Sequence, residues 1–283
     1  MRRSSFFVAT LFFTIVFAGI VWASDGIIVK REAAERFVTL PDGVRFPEGI
    51  AANPHNGDIY VATFDTGPNS NKLLRFTKNG KLVAQRDFGG DPLLGLEFNQ
   101  SDNKVYICNA SALVGRTSKI QRIAADFNDK TPIEEVAIIT TLGVGAPGPL
   151  DVLNPDGSKD TIVFGNNAAA PNALKFNGAG QLFVSDSFQG AIFRIDNLQT
   201  CAPSCTVNTV AHDGLLATAG FPAFGANGID FGSNGHLFIA NTGDDRILEL
   251  DLSTSTVKIT VFAESINGAD GIAFDDDGHL VVA

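Results

Sequence analysis

Histidine and cysteine are scarce in this chain, with four His and three Cys among 283 residues. His55, His212, His236 and His279 are scattered, so no zinc-type cluster of nitrogen and sulfur ligands is encoded. Positive charge is short as well: 21 Lys and Arg stand against 31 Asp and Glu, and no basic run occurs. That composition excludes a nucleic-acid surface built on phosphate contacts. No Gly-x-Ser-x-Gly sequence is present, which leaves a serine nucleophile elbow without support. One long apolar run exists, residues 6–22, preceded by Arg2 and Arg3 and followed by Ala23, Ser24 and Asp25. This is the layout of a secretory signal, at the lower length limit of a membrane span. Residues 1–24 therefore read as a cleaved signal peptide or a retained N-terminal anchor. Residues 25–283 read as the exported domain, secreted or periplasmic, with membrane contact only through such an anchor.

What the sequence does hold is turn formers, 29 Gly and 12 Pro, spread evenly between short apolar stretches. The pattern predicts many short strands and an all-β domain. Cys201 and Cys205 are close enough in sequence to close a local disulfide in an oxidising compartment. Cys108 ends the apolar stretch Val105-Tyr-Ile-Cys108 and reads as a buried thiol. Asn99-Gln-Ser101 and Asn109-Ala-Ser111 match the glycosylation acceptor pattern.

A repeat organises the rest. Five units open on Pro47-Glu48-Gly49, Leu93-Leu94-Gly95, Pro171-Asn172-Ala173, Ala226-Asn227-Gly228 and Ala269-Asp270-Gly271. Each continues as an apolar strand, a turn rich in Gly, Asn and Asp, and a second apolar strand. Third strands follow at Lys72, Lys119, Ala191 and Arg246, and fourth strands near residues 82–86, 135–140, 207–211 and 257–262. Units of about four antiparallel strands at this spacing predict a six-bladed β-propeller. The fifth unit stops after its second strand, so the ring reads as truncated within its fifth blade, and residues 35–40 are candidates for an outer closing strand. A longer gap after unit two reads as surface loops, including residues 143–149 and the turn Asn154-Pro155-Asp156-Gly157.

The second residue of the five openings is Glu48, Leu94, Asn172, Asn227 and Asp270. Equivalent points in a radial repeat converge, so four oxygen-bearing side chains meet. Two carboxylates and two amides suit a hard divalent cation, calcium ahead of magnesium, manganese or zinc. As simple turn residues Asn227-Gly228 and Asp270-Gly271 are equally well explained, whereas Glu48 is not. Asp275-Asp-Asp-Gly278 lacks the spaced ligands of an EF-hand and reads as a solvated turn at the opposite end. Asp186 and Asn241 end equivalent second strands and read either as substrate-facing or supporting residues of the column, or as strand-end caps.

With Glu48, Asn172, Asn227 and Asp270 in this order, the chain resembles the senescence-marker-protein/gluconolactonase family over about residues 40–283. That family is related in architecture to paraoxonases and strictosidine-synthase-like proteins. The resemblance implies a six-bladed propeller with one divalent metal held by these four side chains and Asp270 as general base. It implies hydrolysis of a lactone or related ester, a small-molecule substrate. Two other readings stand beside it: a non-catalytic NHL-like binding propeller, and a strictosidine-synthase-like enzyme that does not need the full ligand set.

Overall fold

The first four units each fold as an antiparallel meander whose strands pair in chain order. Unit one comprises β1 (Pro47–Ala52), β2 (Ile59–Thr63), β3 (Lys72–Phe76) and β4 (Leu82–Asp87). Unit two comprises β5 (Leu93–Asn99), β6 (Lys104–Asn109), β7 (Lys119–Ala124) and β8 (Glu134–Ile138). An extra hairpin, β9 (Leu150–Leu153) with β10 (Lys159–Ile162), precedes unit three. Unit three comprises β11 (Pro171–Phe176), β12 (Leu182–Asp186), β13 (Ala191–Ile195) and β14 (Val207–His212). Unit four comprises β15 (Ala226–Phe231), β16 (Leu237–Asn241), β17 (Arg246–Asp251) and β18 (Lys258–Glu264). Unit five contributes β19 (Ile272–Phe274) and β20 (Leu280–Val282). The computed structural model describes residues 35–143, 150–162, 168–218, 220–253 and 257–283. The strands all lie in the unit Val38–Ala283; of the preceding unit, Met1–Phe37, only residues 35–37 are described. The signal or anchor read at residues 1–24 lies outside the described residues. Among those described, no helix is long and apolar enough to cross a membrane.

The hairpin turns between first and second strands explain the local folding. Gly57, Gly180, Gly235 and Gly278 sit at equivalent points with φ of 76°, 77°, 79° and 82°. This left-handed geometry is free of a Cβ penalty only for glycine. Unit two uses Asn103 at the same point with φ 52°, the residue type that tolerates it next best. An Asx side chain closes each turn, as where Asn177 Oδ1 accepts from Ala179 N and Gln181 N at 3.0 Å each.

The core lies in layers between successive sheets. Tyr60, Leu73, Val105 and Ile107 fill the first interface, and Leu94, Tyr106, Leu174, Val184 and Phe193 the second. Phe183, Ile192, Ile229, Leu237 and Leu248 fill the third, and Phe238, Ile247, Phe274 and Leu280 the fourth. Strands in which both faces are covered read as near-continuous apolar runs, as Leu237-Phe-Ile-Ala does.

Three expectations change. Residues 35–40 form no strand; Val38 and Leu40, with Val44, pack instead on Val61, Leu74 and Phe76 of unit one, whose apolar face they cover. The turn Asn154-Pro-Asp-Gly157 belongs to the β9–β10 hairpin rather than to an open loop, and residues 144–149 lie outside the described residues. The hairpin is anchored by the buried Arg246, whose Nη2 donates to Asn154 Oδ1 at 2.6 Å and Asp160 Oδ2 at 2.9 Å. Asn109 is fully buried and donates to Asp91 and Gln121, so it cannot accept a glycan.

Candidate metal centre

A bulge places four of the five column residues. In unit one Pro47 pairs with Thr63 and Ile50 with Val61, so Glu48 and Gly49 together oppose Ala62 alone. The same shift sets Leu94-Gly95 against Cys108, Asn172-Ala173 against Ser185, and Asn227-Gly228 against Ala240. An extra residue on one strand re-aims the side chain it carries. Four bulges at one register thus turn four column side chains the same way relative to their sheets.

The glycine after the column residue brings neighbouring units together. A methyl group on Gly49 would run into the Leu94 carbonyl, one on Gly95 into the Asn172 carbonyl, and one on Gly228 into the Asp270 carbonyl. Gly228 N also donates to Asp270 O at 3.0 Å. Where unit three has Ala173 instead, Ser185 Oγ accepts from Ala173 N and donates to Asn227 O at 2.6 Å. The column residues therefore stand backbone against backbone from unit one to unit five.

Each amide is held by a hydroxyl with only one way to act. Asn172 Nδ2 donates to Ser187 Oγ at 2.8 Å, and that hydroxyl donates its proton to Ala226 O at 2.7 Å. Asn227 Nδ2 donates to Thr242 Oγ1 at 2.9 Å, and that hydroxyl donates to Ala269 O at 2.7 Å. A hydroxyl has one proton to give, so each must receive the amide nitrogen, and each Oδ1 is turned away from it. Neither Oδ1 accepts a hydrogen bond among the described residues. Asn172 and Asn227 are buried residues, yet neither Oδ1 is among the fully buried unpartnered atoms, so each oxygen keeps an exposed side from which it can meet a ligand.

The carboxylates carry the same unfinished business. Glu48 is pushed up to about 8 by the atoms packed round it and by the charge of Asp270. Asp270 keeps solvent access, yet crowding raises its carboxyl too, while a hydrogen bond from the Asn227 side chain pulls it back. No cationic side chain pairs with either among the described residues. Two acids from the first and last units, with the charge of Asp270 raising Glu48, together with two amide oxygens, make a donor set that fits a hard divalent cation. Leu94 fills the remaining place and is buried.

Known structures share this frame. A periplasmic gluconolactonase from Pseudomonas aeruginosa matches over 93% of this chain and 83% of its own, at 15% identity and TM-score 0.51. A protein described as a candidate gluconolactonase matches over 86% and 72%, at 16% identity and TM-score 0.51. A Bacteroides thetaiotaomicron protein of unknown function matches over 85% and 57%, at 13% identity and TM-score 0.54. No family model and no curated protein matches the sequence. The fold is that of a gluconolactonase-type propeller.

Of the other residues singled out by sequence, Asp186 and Asn241 bond to backbone. Asp186 is fully buried and accepts from Ala170 N, Phe188 N and Gln189 N. Asn241 donates to Leu215 O and Ala217 O and accepts from Asp244 N. These are the bonds of strand-end caps. The side chains that reach the amides are Ser187 and Thr242, one position further on. Cys201 and Cys205 form the expected disulfide, and Cys108 is a buried thiol whose pKa burial raises strongly.

Three residues along from the column runs a second polar tier. Glu97, Lys175 and Asp230 occupy equivalent places on β5, β11 and β15, with Lys175 Nζ 3.8 Å from Glu97 and 3.1 Å from Asp230. Asp230 Oδ2 also accepts from Phe274 N at 2.8 Å. Asp230 thus ties its inner strand to that of the next unit. A separate cleft of about 670 Å³ lies at the turn end between units three and four, lined by residues such as Gln181, Arg194 and Phe231.

Proposed function

We propose that this chain is an exported hydrolase of lactones or related esters, dependent on one divalent cation held by Glu48, Asn172, Asn227 and Asp270. The observation that carries the reading is the pair of hydroxyl-locked amides, which present two otherwise unused oxygens beside two carboxylates without a counter-charge. The gluconolactonase neighbours, one of them periplasmic, support a lactone substrate and export. Oxygen-only donors favour calcium.

When bound, the cation acts as a Lewis acid toward the ester carbonyl and the negative charge that develops on its oxygen. The chain's residues supply the rest. Asp270, raised by its surroundings and reachable by solvent, takes a proton from the attacking water. The hydroxide so generated adds to the carbonyl carbon, the ring C–O bond breaks, and the departing alkoxide collects the proton from Asp270. The Asn227 side chain lies close enough to Asp270 to pull its carboxyl down. Ser187 and Thr242 keep both amides oriented so that no rearrangement is needed during the reaction.

A panel of lactones and esters assayed with and without chelator, and with calcium, magnesium, manganese or zinc restored, tests this reading. Chelator-sensitive hydrolysis is expected; hydrolysis that ignores chelator, or none with any ion, contradicts it. The turn-end cleft favours a second reading, a binding propeller. In that case Asp270→Asn leaves every measurable property of the chain intact.

A further inference from the structure

Aromatic side chains crowd the column end of the units. Phe46 lies two residues before Glu48 and is 55% exposed, with φ of 54°. A bulky residue in the left-handed region is strained, and such strain persists where the surrounding structure fixes it, often beside ligand sites. Phe64 follows β2 at the point where units three and four carry Ser187 and Thr242; its N–H donates to Phe46 O at 2.9 Å. Its half-buried ring packs on the cluster that contains Leu94. Across the column, Phe188 is the neighbour of Ser187, and its ring lies 5.4 Å from that of Phe224, three residues before Asn227. Both rings remain partly exposed. Asp186 fixes Phe188 through its N–H, and Gly243 N fixes Phe224 through its carbonyl at 2.9 Å. The backbone carrying Phe188 and Phe224 is thus held; Phe46 and Phe224 stand two and three residues before Glu48 and Asn227, and Phe188 follows the Ser187 that holds Asn172.

Two polar side chains among them are already engaged. Gln189 accepts from Leu142 N and donates to Thr140 O and Asp186. Asp65 accepts from Gly67 N and Asn69. Recognition of a polyhydroxylated sugar lactone requires several convergent donors and acceptors kept for its hydroxyls. Among the described residues, the partly exposed groups near the column openings include these four rings.

We infer that Phe46, Phe64, Phe188 and Phe224 form an apolar wall beside the column. Its ligand is the alkyl or aryl substituent of a lactone or ester, in preference to a sugar lactone. This rests on the hydrolase reading above and adds the substrate class to it.

The test is a homologous series of δ-lactones, from unsubstituted δ-valerolactone to long 5-alkyl members, beside glucono-δ-lactone, with calcium-loaded full chain. Each methylene that enters the wall is expected to raise kcat/KM about fourfold, and the longest members to exceed glucono-δ-lactone. A flat series, or preference for glucono-δ-lactone, overturns the wall while leaving the hydrolase reading intact. Hydrolysis of neither kind overturns the hydrolase reading, and the wall with it. In Phe188→Ser/Phe224→Ser the ratio of long-chain to short-chain kcat/KM is expected to fall about tenfold or more. A ratio equal to that of the unmodified chain overturns the assignment of these two rings. Should the double variant not fold, the series on the unmodified chain decides.

Discussion

Asp275 and Asp270 lie five residues apart at opposite ends of the inner strand of unit five, and their surroundings differ. Asp275 accepts from Asp277 N and His279 N, faces the His279 ring at 3.0 Å, and its carboxyl is held below the usual range by those bonds. Asp270 is raised by the atoms round it, adds to the upward push on Glu48, and has no cationic partner among the described residues. The turn looks richer in ligands, because oxygen and nitrogen atoms of Asp275, Asp277 and His279 approach within 4.8 Å of one another. Its needs are met by the turn itself. The column is sparser in charge, but its amide oxygens are unused and its acids repel each other. On the proposed reading a cation stabilises the second arrangement more than the first, because it relieves the charge of Asp270 on Glu48 instead of displacing bonds already made.

The largest effect that would break this comparison is on catalysis. Asp270→Asn is expected to lower kcat/KM on a hydrolysed lactone about a thousandfold, measured by pH-stat. The second polar tier sets the next scale. Lys175→Ala leaves Glu97 and Asp230 facing each other and is expected to cost about 3 kcal/mol, read from denaturant midpoints. The same tier gives a pH dependence. Glu97 is pushed up to about 7 against an ordinary 4.5, first by burial, so the folded chain resists its ionisation. Its contribution is neutral below the ordinary value. Stability is lost as pH rises from 4.5 to about 7, by about 3 kcal/mol in all, and levels off above that. Glu97→Gln is expected to flatten this part of the stability–pH curve; an unchanged slope would show that another group titrates.

Smaller effects separate the hydroxyls from the turn. Ser187→Ala or Thr242→Val frees one amide to rotate and is expected to weaken cation affinity about 10- to 100-fold, with Ser187→Thr restoring it. Asp275→Asn is expected to leave the denaturant midpoint unchanged, as for an exposed turn.

The strands and the column were legible because apolar pairs and Gly-bearing turns recur at fixed gaps, as from Asn172 to Val184 and from Asn227 to Ile239. The bulge under Glu48, Leu94, Asn172 and Asn227 was not legible. It depends on hydrogen-bond register, which the alternation of Pro171-Asn-Ala-Leu174 does not encode. Ser187 and Thr242 were missed although a signal existed. Both stand fifteen residues after an Asn of the column, and Phe64 and Ala110 take their place where the column holds Glu48 and Leu94. Glu97, Lys175 and Asp230 likewise share one offset from the column, but charged residues on strands read as solvent-facing until the neighbouring inner strand is in view. The β9–β10 hairpin escaped notice because Lys159-Asp-Thr-Ile162 is short and polar, and its order comes from Arg246, far away in sequence.

The central claim is that the column, and not the acidic turn, holds one divalent cation. Calorimetric titration of calcium into the full chain, Glu48→Gln and Asp275→Asn tests it most directly. One site is expected in the unmodified chain and in Asp275→Asn, and none of comparable affinity in Glu48→Gln. Calcium binding that survives Glu48→Gln and disappears in Asp275→Asn would contradict the account.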